Sequence, residues 1–192
     1  GGVGQAVARC LGGFGAELAY SDPRRLPAHT EAALALRRLP LEPLLAGSDA
    51  VVVCAPLLPA TVHLIDRHAL SQMRPGSVLV NVGRGSVVDE TAVAEALAAG
   101  HLGGYGADVF EFEDWARPDR PSAVEPRLVA CPERTLFTPH LGSAVTDVRR
   151  TIELAAARSV LQALAGEAPD GAVNHPAPVP LRGELGRTAT GT

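Results

Sequence analysis

The chain opens with GGVGQAVARCLGGFGAELAYSD, residues 1–22, and this segment is the strongest local indication of the fold. It opens on a run of glycines, and apolar residues then recur with the period of a helix as far as Leu11. Gly15 interrupts the helical pattern, and residues 16–20 predict a short strand that ends just before Asp22. A glycine turn, a helix, a strand and an acid in this order predict one unit of a doubly wound α/β sheet.

The same alternation continues along the chain and extends this unit into a domain. Further strands are predicted at 50–55, 77–82, 105–109 and 136–138, and further helices at 41–45, 66–73, 90–99 and 143–165. Asp89 and Gly100 are the predicted start and stop of the helix at 90–99. Residues 23–30 are predicted to be a loop, and residues 111–135 a long irregular connection. The fold class is therefore α/β, with a Rossmann-type doubly wound parallel sheet.

Composition limits the classes of partner. The net charge is −4, which gives no basic footprint for nucleic acid or for an anionic membrane surface. No apolar run approaches the roughly 18 residues of a membrane helix. Three separated cysteines suggest neither a disulfide framework nor a metal site, so we expect a cytoplasmic protein. With only 4% aromatic residues, the core is expected to consist mainly of Ala, Val and Leu.

The glycine-rich start predicts a dinucleotide site. Gly1, Gly2, Val3 and Gly4 fit the end of a G-x-G-x-x-G turn, in which Gly1 lets backbone approach a pyrophosphate and Gly4 lets the helix pack on the sheet. The N-terminus of the following helix offers unpaired N–H groups to the phosphates. Pro56, which closes the strand at 50–55, is included in the predicted cofactor site.

Asp22 is the predicted ribose ligand. It follows a strand and lies 18 residues after Gly4, near the spacing expected of an acid on the ribose hydroxyls. The alternative is an aspartate that only forms the turn before Pro23. An acid at this position disfavours a 2′-phosphate, so NAD is the predicted cofactor. NADP stays open, because Arg24 and Arg25 could reach a 2′-phosphate.

Three segments carry the polar residues that could do chemistry. They are residues 80–89 (VNVGRGSVVD), 107–113 (ADVFEFE) and 138–140 (TPH). Each follows a predicted strand, at the edge of the sheet where doubly wound folds place their ligands. The motifs R-G-x-x-V-D, D-V-F-E-x-E and P-H-x-G follow one another in these segments. With them, the sequence resembles the D-isomer-specific 2-hydroxyacid dehydrogenase family from Gly1 to about Asn174.

The resemblance implies a role for each matching residue. Arg84 matches the arginine that binds an anionic substrate, and His140 matches the acid–base residue. Glu113 matches the carboxylate that orients this histidine, and Asp108 matches a residue near the nicotinamide carboxamide. Arg149 matches a further basic position near the substrate, although it could equally be a solvated helix residue.

Within the family, residues 113–121 (EDWARPDRP) and 136–145 are most similar to phosphite (phosphonate) dehydrogenases. The resemblance therefore favours oxidation of phosphite to phosphate by hydride transfer to NAD. The first alternative is a D-2-hydroxyacid dehydrogenase of the glycerate or glyoxylate reductase type. The second is an NAD(H)-sensing scaffold similar to transcriptional corepressors. We expect a small anionic substrate, no metal and a homodimer.

The resemblance also predicts the domain organisation. Residues 1–141 are expected to be the NAD-binding domain without its first strand, and residues 142–175 a helix and return segment of a substrate domain. Residues 176–192 are expected to be disordered. Because residue 1 is not Met and the chain opens within the glycine motif, we expect a C-terminal fragment that is inactive alone.

The remaining histidines have no partners in the sequence that suggest chemistry. We expect them to be surface or packing residues: His29, His63, His68, His101 and His175. Trp115 could brace the long connection or reach the site, and both alternatives stay open.

Overall fold

Short parallel strands alternate with helices in the computed structural model of the chain, which describes residues 1–173. The strands are β1 (Leu18–Tyr20), β2 (Leu36–Arg38), β3 (Ala50–Val53), β4 (Val78–Asn81), β5 (Gly104–Ala107) and β6 (Thr135–Phe137). The helices are α1 (Gly2–Gly12), α2 (Ala28–Ala33), α3 (Leu41–Gly47), α4 (Arg67–Gln72), α5 (Glu90–Ala98), α6 (Pro126–Val129) and α7 (Thr146–Leu164). Three 3₁₀ turns lie at Pro59–Thr61, Gly85–Val87 and Glu111–Glu113.

The strands form two parallel sheets. One pairs β1 with β2, and the other has the order β3-β4-β5-β6. The predicted α/β class with parallel strands is confirmed. Among residues 1–173 no strand pairing joins the two sheets.

The register of the four-stranded sheet aligns the ends of its strands. Asn81, the last residue of β4, lies opposite Ala107 of β5, which lies opposite Phe137 of β6. The connections that follow these three strands therefore leave the sheet at one edge. This alignment brings together three segments that are far apart in sequence.

Aliphatic side chains make up most of the core, as predicted. Leu79, Val93, Leu102 and Leu128 are completely buried, and Tyr105 is the one large aromatic among the fully buried side chains of residues 1–173. The starts of two helices are fixed by aspartate caps, since Asp66 and Asp89 accept hydrogen bonds from backbone N–H groups in the first turns of α4 and α5.

The structure corrects the sequence prediction around β2. Helix α2 begins at Ala28, inside the predicted loop, and β2 was not predicted at all. Residues 36–38 are Leu-Arg-Arg, which lack the apolar pattern of a strand. They are extended because their backbone pairs with β1 at the edge of a sheet, where charged side chains are favoured.

The described chain divides into two compact units. The first is Gly1–His140, and the second begins at Leu141, one residue before the predicted boundary. The second unit consists mainly of α7, whose apolar side chains are exposed. The tail predicted for residues 176–192 lies outside the described residues. None of the helices in residues 1–173 is both long and apolar enough to span a membrane.

Candidate active site

Arg84 sits on a turn that a buried asparagine holds in place. Asn81 is completely buried at the end of β4 and donates a hydrogen bond of 3.0 Å from Nδ2 to the carbonyl of Arg84. Its Oδ1 accepts a bond of 3.1 Å from the N–H of Gly83. The Arg84 side chain is exposed, with Nη1 donating to the carbonyl of Gly83. The backbone is thus fixed while the guanidinium stays accessible to an anion.

Gly85 brings this turn against the connection that follows β5. A Cβ at Gly85 would lie 1.9 Å from the carbonyl carbon of Phe110, so only glycine fits without moving the backbone. Asp114 strengthens the contact, because its Oδ2 accepts a bond of 2.7 Å from the N–H of Ser86. The loop that carries Arg84 and the loop that carries Glu113 are therefore in direct backbone contact.

Glu113 and His140 form a hydrogen-bonded pair. His140 Nδ1 lies 2.6 Å from Glu113 Oε2, and Glu113 Oε1 accepts a bond of 3.0 Å from the N–H of Phe110. His140 has a left-handed backbone with φ of 55° directly after Pro139, a conformation that is uncommon for a residue other than glycine. The pair leaves Nε2 of His140 available to exchange a proton.

Asp108 follows β5 and contacts the neighbouring connection. Its Oδ1 accepts a hydrogen bond of 2.5 Å from Oγ1 of Thr138, two residues before His140. Its backbone N–H donates to the carbonyl of Asn81. Asp108 thus links the three segments that were predicted to carry the chemistry.

One open cavity of about 320 Å³ collects the predicted reacting groups. Its wall contains all three of the side chains singled out from the motifs, and Trp115 reaches it as well. The lining residues are Arg84, Gly85, Val109, Phe110, Glu113, Asp114, Trp115 and His140. The Trp115 ring also packs against the Arg120 guanidinium at 4.2 Å, so it both braces the loop and borders the cavity.

The N-terminus of α1 fits a dinucleotide phosphate. The helix has no side-chain cap at Gly1, so its first N–H groups remain available to an anion. A Cβ at Gly1 or Gly2 would meet nothing within 4 Å, which leaves open space for a ligand to approach. At Gly4 a Cβ would lie 3.8 Å from Cys54, an ordinary contact, so packing alone does not require glycine there. Val3 is exposed beside this turn.

Asp22 lies next to the glycine turn. Its Oδ2 is 3.7 Å from the nitrogen of Gly1, while Oδ1 accepts a bond of 2.8 Å from the N–H of Arg24. The residue therefore forms a turn and also faces the predicted phosphate site. Arg25 pairs with Glu31, which occupies one of the two arginines considered for a 2′-phosphate. Arg38, which was not singled out from the sequence, donates to the carbonyls of Asp22 and Pro23.

Pro56 lies in the connection after β3, beside the turn that follows β4. A Cβ at Gly83 would come within 2.6 Å of the carbonyl oxygen of Ala55, so these two connections are in tight contact. The Pro56 carbonyl accepts a bond of 2.7 Å from Oγ1 of Thr61. Arg149, on α7, belongs to the second compact unit, where its side chain is exposed. Among residues 1–173 no cluster of His, Cys, Asp or Glu is placed to hold a metal ion.

The structure also reveals a polar network that sequence reasoning missed. Glu90 and Glu111 are buried carboxylates that bond to each other's backbone, and His63 Nε2 lies 2.9 Å from Glu111 Oε2. Burial raises the pKa of Glu90 to about 7, against the lowering effect of its bonds from backbone N–H groups. His63 was expected to be a surface or packing residue, and the structure shows that its side chain is partly exposed and contacts Glu111. No local signal could reveal the contact, because its partner lies 48 residues away.

Comparison with known proteins places the chain among related sequences. The family profile for the D-isomer specific 2-hydroxyacid dehydrogenase, NAD binding domain, matches residues 1–142. A glyoxylate reductase of Thermococcus onnurineus is 36% identical over 172 residues, covering 90% of this chain and 48% of that protein. A D-3-phosphoglycerate dehydrogenase of Mycobacterium bovis is 38% identical over 179 residues, covering 90% of this chain and 31% of that protein.

Solved structures give the same grouping. The holo form of D-mandelate dehydrogenase from Rhodotorula graminis superposes with a TM-score of 0.79 at 32% identity, covering 92% of this chain and 50% of that one. The chain thus spans about half the length of most of these relatives, and less of the phosphoglycerate dehydrogenase.

Proposed function

The chain belongs to the D-isomer-specific 2-hydroxyacid dehydrogenase family, and from this membership we propose that it supplies the NAD-binding and acid–base part of a 2-hydroxyacid dehydrogenase. The observation that carries the proposal is the cavity that Arg84 shares with the Glu113–His140 pair. The Arg84 guanidinium can bind a substrate carboxylate through two N–H groups. The imidazole of His140 can exchange a proton, and the Glu113 carboxylate orients it.

The residues divide the chemistry as follows. A nicotinamide cofactor held by this domain would supply the hydride chemistry at C2 of the substrate. His140 Nε2 takes the proton of the 2-hydroxyl group during oxidation and returns it during reduction. Glu113 keeps the ring oriented and stabilises its charged form, while Arg84 pairs with the substrate carboxylate. The proton and the hydride together account for the two hydrogens removed from the alcohol.

The residues that follow β1 bear on the choice between NAD and NADP. The chain has an NAD-binding domain. The uncapped N-terminus of α1 would hold the phosphates of the dinucleotide, and Asp22 lies beside that turn, where it would meet the ribose. A carboxylate near the ribose hydroxyls repels a 2′-phosphate. We therefore propose a preference for NAD over NADP.

Phosphite oxidation is the second candidate. The segment that resembles phosphite dehydrogenases contributes Asp114 and Trp115 to the cavity wall, next to Arg84. In that reaction His140 would activate water for attack on phosphorus. The related proteins named above act on 2-hydroxy or 2-oxo acids by their names, so they favour the hydroxyacid function.

One assay separates these candidates. The natural polypeptide that carries this chain is tested for NADH oxidation with glyoxylate and hydroxypyruvate, and for NAD reduction with phosphite. Turnover of the 2-oxo acids supports the proposal, and turnover of phosphite alone contradicts it. Tight NADH binding with no turnover of any of the three would favour the NAD(H)-sensing scaffold instead.

A further inference from the structure

The loop that carries Arg84 and the loop that carries Glu113 both line the cavity, and a buried polar network links them. We propose that Glu90, Glu111 and His63 are positioning residues that set the separation between Arg84 and the Glu113–His140 pair. The inference rests on the dehydrogenase function proposed above, and it concerns residues that do not line the cavity.

The centre of the network is a reciprocal pair of hydrogen bonds. Glu90 Oε1 accepts a bond of 2.8 Å from the N–H of Glu111, and Glu111 Oε1 accepts a bond of 3.0 Å from the N–H of Glu90. Glu90 begins α5, three residues after the end of the 3₁₀ turn that follows Arg84. Glu111 begins the 3₁₀ turn that ends at Glu113. The two carboxylates therefore link the backbones that carry the reacting groups.

His63 extends the network to Ser86, in the loop that carries Arg84. Its backbone N–H donates a bond of 2.8 Å to the carbonyl of Ser86, and its ring Nε2 contacts Glu111 Oε2 at 2.9 Å. A single residue thus contacts both loops, one through its main chain and the other through its side chain. It does so with a left-handed backbone, φ of 49°, which is uncommon for a residue other than glycine and indicates that surrounding contacts hold it there.

The polar nature of these residues supports positioning rather than packing alone. Glu90 is 2% exposed and Glu111 is 8% exposed, positions where apolar side chains would avoid the cost of burying a carboxylate. Apolar contacts tolerate small displacements, whereas a hydrogen bond to a backbone N–H restricts both distance and direction. A network whose carboxylates each accept a bond from the opposite loop therefore holds the two loops in one register.

The test uses variants that break or preserve the network in the natural polypeptide that carries this chain. Glu111→Ala removes the bond to the Glu90 N–H and the contact with His63. Glu111→Gln keeps an acceptor for that N–H and offers a donor to the imidazole. His63→Asn suits the left-handed backbone, but its side chain is too short to reach Glu111. Asp49→Asn is the matched control. Asp49 directly precedes β3, its side chain is exposed, and it pairs with Arg74 rather than with a residue of the network.

We expect the network variants to lose turnover rather than cofactor affinity. Glu111→Ala and His63→Asn should lower kcat by about 10- to 100-fold, since small displacements of reacting groups have effects of that size. The dissociation constant for NADH and the urea midpoint of His63→Asn should stay at the wild-type values, and Glu111→Gln should recover most of the lost kcat. Unchanged kcat in both disruptive variants, or losses that only follow a lower urea midpoint without rescue by Gln, would overturn the proposal.

Amide hydrogen exchange tests the network independently of turnover. The N–H of Ser86 bonds to Asp114 of the other loop, so its exchange reports on the contact between the loops. The N–H of Phe110 bonds to Glu113 within one loop, so its exchange reports on the order of that loop. Their exchange should be faster in Glu111→Ala and unchanged in Asp49→Asn. Wild-type exchange rates in Glu111→Ala would contradict the positioning role, whereas absence of turnover in the wild-type protein would contradict only the proposed function.

Discussion

The two ends of the first compact unit are built in opposite ways. In the β1–β2 region, residues 1–39, the only buried hydrophobic side chain is Ala8, and each strand has three residues. In the four-stranded region, residues 50–140, strands, helices and loops enclose nearly all of the core. The glycine turn thus has few buried neighbours, whereas the loops that carry Arg84 and Glu113 include the core residues Val87 and Phe110.

This difference in burial indicates which parts of the site are already arranged before a ligand binds. Arg84 and Glu113 are held by Asn81, by the close approach at Gly85 and by the carboxylates of Glu90 and Glu111. The glycine turn, in contrast, leaves space that a ligand would have to fill. Chemistry needs fixed distances between reacting groups, while the cofactor contributes its own contacts when it binds.

The largest effect should come from His140. Replacement by Ala removes the acid–base group and should lower kcat by about 10²- to 10⁴-fold. NADH affinity should be unchanged, because the predicted phosphate site lies at α1. Steady-state kinetics together with fluorescence titration of NADH check both parts. Retained turnover would remove His140 from the acid–base role.

Core substitutions should separate the two regions by stability. Leu79→Ala in β4 removes a completely buried side chain and should lower the free energy of unfolding by about 2–5 kcal/mol. Leu11→Ala on α1 removes a side chain that is 36% exposed and should cost only about 0.5 kcal/mol. Urea unfolding measures both. Equal losses would show that the β1–β2 region is as tightly packed as the sheet.

The buried carboxyl of Glu90 should make stability depend on pH. Its pKa is raised from 4.5 to about 7 in the folded protein. The folded state therefore holds a proton that the unfolded chain releases, and this contribution is fully present below pH 4.5 and lost as the pH rises through 7. Glu90→Gln should remove up to about 3 kcal/mol of this pH dependence, since each pKa unit is worth about 1.4 kcal/mol. Urea unfolding at pH 5 and pH 8 measures the difference, and a wild-type slope in the variant would contradict it.

Two glycines give a matched pair across the regions. Gly85→Ala forces a Cβ against the backbone of Phe110 and should cost about 2 kcal/mol, together with a loss of turnover. Gly2→Ala meets open space and should leave stability unchanged or raise it by up to about 1 kcal/mol. Weaker NADH binding by the Gly2 variant would indicate that the ligand, not the fold, requires glycine there. Thermal unfolding and NADH titration distinguish these outcomes.

The smallest effect is expected at Asp22. Asp22→Asn removes the charge beside the glycine turn and should weaken NADH binding by about 1 kcal/mol, a change of roughly fivefold, while improving the relative affinity for NADPH. Titration with both nucleotides measures this, with Asp49→Asn as the control. No change in the ratio of the two affinities would leave Asp22 with a turn-forming role only.

Local sequence signals predicted most of the elements correctly. The periodicity of α1, the aspartate before α5 and the strand patterns of β3 to β6 all describe interactions between residues that are close in sequence, and the structure confirms them. Strand β2 was missed because its extended form depends on pairing with β1 rather than on its own residues.

The sequence alone determined the family motifs, the fold class, the NAD-binding domain and the choice of Arg84, Glu113 and His140 as the residues to examine. It also favoured phosphite, which the relatives support less well than a 2-hydroxy acid. The folded structure was needed to show that those three residues share one cavity and that His63, Glu90 and Glu111 link the loops that line it. The physical reason is that these contacts connect backbone and side-chain atoms of separate strand ends, whose meeting depends on the register of the sheet and not on any local pattern.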